Sequence, residues 1–338
     1  MGLITRRDLL KGAAATAACL SLPFESFSRA ADGVAGTPVD RYMTCFYQWG
    51  HDTLKAFAGP DGLPNGPEYL HIFSASHAGH NAHPDTANAV RELGPSFKYA
   101  RAIDIWKYKG WQDASDDQLR QWAIEFRKEA LPEGGPADYF AFNEMPTGAE
   151  SNPGLQRRIA KWMRYLYDAN DGGPKLPAVF YLVEENLVPE SWKGDAIDEL
   201  WAAIDDTSVI VVGEHYHNKK FLAEHTPEQI TDHLFAIAKW LDESGKVPQR
   251  NVAQHKFAVL HSTYYGPKQT NWEGLQQDTS TPEDFKAYLA KLIECTRSSP
   301  YGKRRISFGP LQAAGLDTKD ILTELTPLLH ADAVAAKG

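Results

Sequence analysis

Asp138-Tyr139-Phe140-Ala141-Phe142-Asn143-Glu144-Met145-Pro146 is a short apolar run that ends in an amide, a carboxylate and a proline. Its aromatic, continuously apolar first half reads as a buried strand. Proline cannot continue a central ladder, so the chain has to turn directly after the carboxylate. A carboxylate delivered by a strand end is held rigidly. In an α/β barrel the C-terminal strand ends open onto the cleft where that fold does its chemistry, which would set Glu144 in the cleft rather than in the packing.

Outward from this stretch the same grammar recurs. Strands are expected at Tyr42–Tyr47, Tyr69–Ser74, Phe97–Ile105, Asp138–Phe142, Ala178–Val183, Ser208–Val212, Lys256–Leu260 and Arg305–Phe308. Helical patterns lie between them, at Asp85–Leu93, Asp117–Ala130, Leu155–Ala169, Asp195–Ile204, Glu228–Ser244, Glu283–Arg297 and Lys319–Leu329. Thr226-Pro227-Glu228-Gln229 and Thr281-Pro282-Glu283-Asp284 each give a capping hydroxyl, a first-turn proline and an acidic first turn. Most strands are continuously apolar, as in a parallel sheet covered by helices. Eight such units match the size of a (β/α)₈ TIM barrel, expected here as a single catalytic domain over residues 31–338. The first unit is the weakest, with no helical pattern between Gly59 and Pro67. An open doubly wound sheet is the alternative, but the chain lacks the glycine-rich phosphate turn that usually opens one.

The first thirty residues stand outside the fold. Thr5-Arg6-Arg7-Asp8-Leu9-Leu10-Lys11 is followed by an alanine-rich apolar run to Leu22 and a small-residue site, Ser28-Arg29-Ala30. This is the pattern of a twin-arginine signal peptide over residues 1–30. An ordinary amphipathic helix and, at Thr16-Ala17-Ala18-Cys19, a lipoprotein cleavage site are the competing readings. The mature protein is therefore expected in the periplasm or secreted, with the twin-arginine translocase as its partner during export. Substrates of that pathway cross the membrane folded, which permits a cofactor acquired beforehand and requires none. A net charge of −9, with no basic block outside the signal, argues against a nucleic-acid partner. No later run is apolar enough for stable membrane insertion. Cys45 and Cys295 are expected as buried thiols, with a single bridge between them as the alternative.

In barrel register the strand ends give a polar and aromatic set of site candidates. They deliver Trp49, His77, Asp104, Trp106, Asn143, Glu144, Glu185, Glu214, His215, His217, His261, Tyr264 and Gln312. Glu184 and Glu185 are adjacent, so in an extended chain only one of them faces the cleft. Trp122, Trp162, Trp201 and Trp240 sit in helical patterns and read as core, whereas Trp49, Trp106, Trp111 and Trp272 read as ring platforms on loops. Several carboxylates and flat rings in one cleft are what sugar hydrolysis needs. One carboxyl holds a proton for the leaving oxygen, a second attacks or activates water, and rings stack on sugar faces.

Phe142-Asn143-Glu144-Met145-Pro146 resembles the fourth-strand Asn-Glu-Pro signature of clan A glycoside hydrolases, and His215-Tyr216-His217 is similar to the His-x-Tyr element of some of those families. The resemblance spans the architecture and these two short motifs. It implies a barrel that hydrolyses glycosidic bonds, with Glu144 as general acid/base and Asn143 on the sugar 2-hydroxyl. The chain departs from that pattern at strand seven, where Phe257-Ala258-Val259-Leu260-His261-Ser262 carries no nucleophilic glutamate. Glu214 is the replacement expected, with Glu185 and Asp104 behind it. In that scheme Glu144 donates the proton, its pKa raised by apolar neighbours such as Met145, and Glu214 is base or nucleophile. Asn143, His215 and Tyr264 position a carbohydrate substrate, a polymer by the number of loop aromatics, and no cofactor or metal takes part.

Each reading has a plainer counterpart. The counterpart for Glu144 is a rim carboxylate in a salt bridge, for Glu214 a structural charge in a turn, and for Asp104 a partner of Arg101. His77, His80 and His83, with His215 and His217, outline a metal-dependent barrel hydrolase as the rival mechanism. The missing strand-seven glutamate favours a third possibility, a carbohydrate-binding barrel without turnover.

Overall fold

A computed structural model of the chain describes residues 41–47, 54, 56–59, 62–74, 86–103, 105–130, 137–146, 148–217, 219–261, 282–309 and 318–336. Eight strands form one closed parallel barrel in sequence order. They are β1 (Tyr42–Tyr47), β2 (Tyr69–Ser74), β3 (Phe97–Ile103), β4 (Tyr139–Phe142), β5 (Ala178–Leu182), β6 (Ser208–His215), β7 (Phe257–His261) and β8 (Arg305–Phe308). β8 pairs with β1, which closes the ring and excludes the open sheet. The helices are α1 (Thr86–Glu92), α2 (Asp116–Ala130), α3 (Pro153–Tyr167), α4 (Ile197–Thr207), α5 (Lys219–Glu224), α6 (Pro227–Leu234), α7 (Ala236–Glu243), α8 (Val247–Asn251), α9 (Pro282–Ser298) and α10 (Thr318–Ala335).

The alternation of side chains along each strand separates two cores. Cys45, Tyr47, Ile72, Ala100, Ala141, Tyr181, Val212 and Leu260 fill the barrel interior. Phe46, Phe73, Phe142, Phe180, Val211, Phe257 and Phe308 face the helical layer, where they meet residues such as Trp162, Trp201 and Leu234. Because both faces are largely apolar, most of the strands read as continuous hydrophobic runs; β3, with Lys98 and Arg101, is an exception. Trp162 and Trp201 are buried as expected, and Trp122 and Trp240 pack on the same outer core. Trp111, expected as a loop platform, is buried there too, its ring 5.6 Å from that of Trp162.

Three departures from the sequence expectations bear on the site. β6 continues past Val212 to His215, because Gly213 leaves room on the outer face for Leu187 and Phe257, whose atoms stand 2.9 Å from where a Cβ would sit. The helix expected over Glu228–Ser244 is broken at Phe235 (φ −115°, ψ 15°), whose buried ring packs against Phe257 and Tyr301. Apolar periodicity runs through this break, so pattern alone joins the two halves. α5 and α8 have no counterpart among the expected helices, and a π-helical turn at Val252–Lys256 leads into β7. The capping box at Thr226 and Gln229 forms as its sequence requires; Thr281 lies outside the described residues. Among the described residues, no α-helix lies between β1 and β2. Cys45 faces the interior with its Sγ 3.1 Å from the Tyr181 hydroxyl, whereas Cys295 sits on α9, and both thiols are free.

Candidate active site

Among the described residues of the expected set, Glu214 is the most deeply placed carboxyl. It continues the inward alternation of Ile210 and Val212 on β6 and is 1% exposed. Burial pushes its pKa up to about 8, a hydrogen bond from Tyr216 pulls the other way, and the like charges of Glu144 and Glu185 push further up. Tyr216, two residues on and packed on the interior core, donates a short hydrogen bond to Oε2. Among the described residues Oε1 has no hydrogen-bond partner. At neutral pH the site therefore holds a protonated carboxyl with one uncommitted oxygen.

Glu144 follows β4 with φ 51°, in the left-handed region that a side chain of its size seldom adopts. The chain that follows it is held in place. Met145 is buried and its N–H reaches the Tyr181 carbonyl at 3.4 Å. Beyond it, Glu150 accepts a 3.0 Å bond from the buried amide of Asn186, and its carbonyl takes bonds from Lys193 N–H (2.9 Å) and Gln156 Nε2 (2.8 Å). Gln156 also bonds the Lys193 carbonyl at 2.8 Å. The loop after β4 is thus fastened to the loop after β5. Asn143 is buried, continues the inward alternation of Tyr139 and Ala141, and has an Oδ1 without a partner among the described residues. Glu184 and Glu185 lie on a 3-10 turn rather than on extended chain, so the expected opposition of their side chains does not apply. Below this group Tyr47 and Tyr181 meet inside the barrel, ring centres 4.9 Å apart.

Burial, the property invoked from the sequence to keep a proton on Glu144, is strongest at Glu214, since Glu144 is only half-buried. The structure brings Glu144 and Glu185 each into electrostatic reach of Glu214. It does not bring the histidines to them. His215 and His217 alternate with Glu214 and Tyr216, so they project to the outer layer. There the His215 Nε2–H donates to the Leu234 carbonyl (3.1 Å), and the His217 ring stacks on Phe221 at 4.1 Å. His261 shares the outward register of Phe257 and Val259 and bonds Thr296 on α9 at 2.7 Å. Burial and neighbouring histidines hold His215 well below the usual range, His217 at about 3 and His261 at about 3. All three are neutral bases at physiological pH.

Trp49, His77, His80, His83, Asp104, Tyr264, Trp272 and Gln312 lie outside the described residues, and the side chain of Trp106 is not described. Sequence reasoning missed Tyr216 as the partner of Glu214, although a tyrosine two residues from an inward glutamate on one strand is a readable signal. Asn186 stands among the residues expected at the end of strand five, whereas Glu150 and Gln156 carried no such signal, since each is polar in a polar stretch.

Residues 3–23 match the family of twin-arginine translocation pathway signal sequences, so the chain is exported to the periplasm or beyond. No curated protein matches the chain by sequence. Among solved structures it is similar to the alpha-L-arabinofuranosidase of Thermotoga maritima in its arabinose complex. That match has 9% identity and a TM-score of 0.51, and it covers 88% of this chain and 72% of the other. A GH10 xylanase of Thermobacillus composti matches with 12% identity and a TM-score of 0.47, over 91% of this chain and 100% of its own. At 9% identity the likeness to the arabinofuranosidase is one of fold alone. Among the described residues no helix is long and apolar enough to cross a membrane.

Proposed function

We propose that the protein is an exported glycoside hydrolase that cleaves a glycosidic bond in a polysaccharide or glycoconjugate with Glu214 and Glu144. The observation that carries this reading is the unequal pair itself. Glu214 is buried with its pKa near 8, and the half-buried Glu144 lies within electrostatic reach of it at the mouth of the barrel. Two carboxyls in unlike environments divide the acid and base roles between them. The proton-donor role accordingly passes from Glu144 to Glu214, with Oε1 free to meet the leaving oxygen and Tyr216 holding Oε2. Glu144 acts as nucleophile or base, Asn143 Oδ1 takes a sugar hydroxyl, and Glu185 keeps the site acidic. The polar atoms without partners at Glu214 and Asn143 are those that a sugar would satisfy. Catalytic metal at this mouth finds no support in His215 and His217, which face the other way.

The test is reducing-sugar release from a panel of cell-wall and exopolysaccharides by wild type, Glu144→Gln and Glu214→Gln, each with and without chelator. Both variants should lose turnover while keeping their circular dichroism. On an aryl glycoside with an activated leaving group Glu214→Gln should regain bond cleavage and Glu144→Gln should not; the opposite result would return the donor role to Glu144. β7 ends in Leu260-His261 with no carboxylate, which favours a binding barrel as the second reading. Glycan binding without turnover in the wild type would establish it.

A further inference from the structure

On the outer face of β6 three imidazoles converge for which the proposed hydrolysis has no use. His215 and His217 come from the end of β6 and His233 from α6. Their ring centres stand 5.2 Å (His215–His217), 5.4 Å (His215–His233) and 4.9 Å (His217–His233) apart. One nitrogen from each lies within 4.8 Å of the others. Three imidazoles on one tetrahedral ion, with metal–nitrogen bonds of about 2.0–2.1 Å, also place their ring centres about 5 Å apart. Small ring rotations separate the two arrangements.

His215 provides a second, independent observation. Its Nε2–H is committed to the Leu234 carbonyl, which fixes the tautomer and leaves the lone pair on Nδ1. That Nδ1 is buried and has no hydrogen-bond partner among the described residues. A ligating histidine characteristically donates its other N–H to a carbonyl or carboxylate, and a buried, idle acceptor calls for an occupant. His217 is held in place by its stack on Phe221, while the exposed His233 opens the group to solvent.

We propose that His215, His217 and His233 form a binding site for one zinc-class divalent transition metal ion, with water as fourth ligand, between β6 and α6. An all-imidazole donor set favours zinc, copper, nickel or cobalt over magnesium or calcium, which seek oxygen. The ion ties α6 to the strand whose next inward residues are Glu214 and Tyr216. Its role is to fix that strand end from behind, and it takes no part in the chemistry. The site does not depend on the glycosidase reading.

Tag-free protein, stripped with chelator, should be titrated with Zn²⁺ by calorimetry and with Co²⁺ by visible absorption. One equivalent should bind, Co²⁺ should give the intense bands of a four-coordinate site, and Zn²⁺ should raise the thermal midpoint by several degrees. His233→Ala should weaken Zn²⁺ at least tenfold and abolish the Co²⁺ bands. Its side chain is exposed, so the fold should survive, as circular dichroism will check. His255→Ala, a control on an exposed turn, should bind as wild type does. Zn²⁺ binding no tighter than millimolar, or equal binding by His233→Ala, would overturn the site. Because none of these readouts uses a glycan, failure here leaves the hydrolase proposal standing, and failure of that proposal leaves this site.

Discussion

The two faces of β6 put opposite kinds of group into the same kind of place. Inward, Glu214 is an acid that burial keeps protonated. Outward, His215 and His217 are bases that burial keeps neutral. Desolvation disfavours whichever form is charged, so one cause raises the acid and lowers the bases. Residues adjacent in sequence thus belong to different chemistries, and the strand's period of two decides which. His215-Tyr216-His217 looks like one motif along the chain, yet only its tyrosine serves the barrel interior.

The largest effect that can break this partition is on turnover. Glu214→Gln should lower kcat by about 10²–10⁴, the usual contribution of a positioned acid or base. His261→Gln, on the outer face of β7, should keep kcat within about tenfold, since glutamine retains a partner for Thr296 while a lost catalytic group costs far more. Equal losses in steady-state assays of the two would mean that the outer layer reaches the substrate.

Next in size is the stability of Glu214→Gln. In the wild type the unfolded chain gives up this proton near the ordinary value of 4.5, whereas the folded chain keeps it to about 8. Between those values the native state binds more protons, so stability falls as pH rises and levels off above 8. The glutamine variant lacks this loss. In urea unfolding it should match wild type near pH 4.5 and exceed it at pH 8 by a few kcal/mol, with about 1.4 kcal/mol per pH unit as the ceiling on the slope. No difference between pH 5 and 8 would mean that Glu214 ionises freely.

The outer layer predicts the opposite slope on the acid side. His71 is held at about 4 and His261 at about 3, both by burial. Below about 6.5 the unfolded chain takes up protons that these folded rings refuse, so their contribution is lost as pH falls from 6.5 toward 4. His71→Gln or His261→Gln should each flatten the stability slope near pH 5.5 by up to about 1.4 kcal/mol per unit. An unchanged slope in both would show that the buried rings are protonated in the folded state.

How far the sequence foretold this molecule follows from the same geometry. The strand order was legible because most of the β-strands are largely apolar on both faces, and β1, β2 and β8 lie where the pattern put them. The position of Asn143 and Glu144 just past the end of β4 was legible because Pro146 forces the chain to turn there. The end of β6 was not, because Gly213 reads as a terminator when viewed along the chain, whereas its missing Cβ serves Leu187 and Phe257. Ending the strand there turned Glu214 through His217 into one loop cluster and hid their separation. Trp111 was misplaced because an aromatic side chain looks alike whether it caps a loop or anchors one into the core.

The smallest effect bears on Glu144, where backbone and charge can be separated. Its φ of 51° costs a β-carbon-bearing residue about 1 kcal/mol relative to glycine, while glycine adds a comparable entropy to the unfolded chain. Glu144→Gly also removes the side-chain carboxylate beside Glu214, as does Glu144→Gln, which keeps the strain. If Glu144 is present for chemistry, neither variant loses a structural partner. The two backbone effects then offset one another, and Glu144→Gly should match Glu144→Gln to within about 1 kcal/mol in denaturant unfolding at pH 7. If both variants fall well below wild type, the carboxylate is bonded at the rim and its left-handed backbone is a by-product of that bond. A carboxylate whose removal costs activity and spares the fold occupies a strained position for which only function accounts.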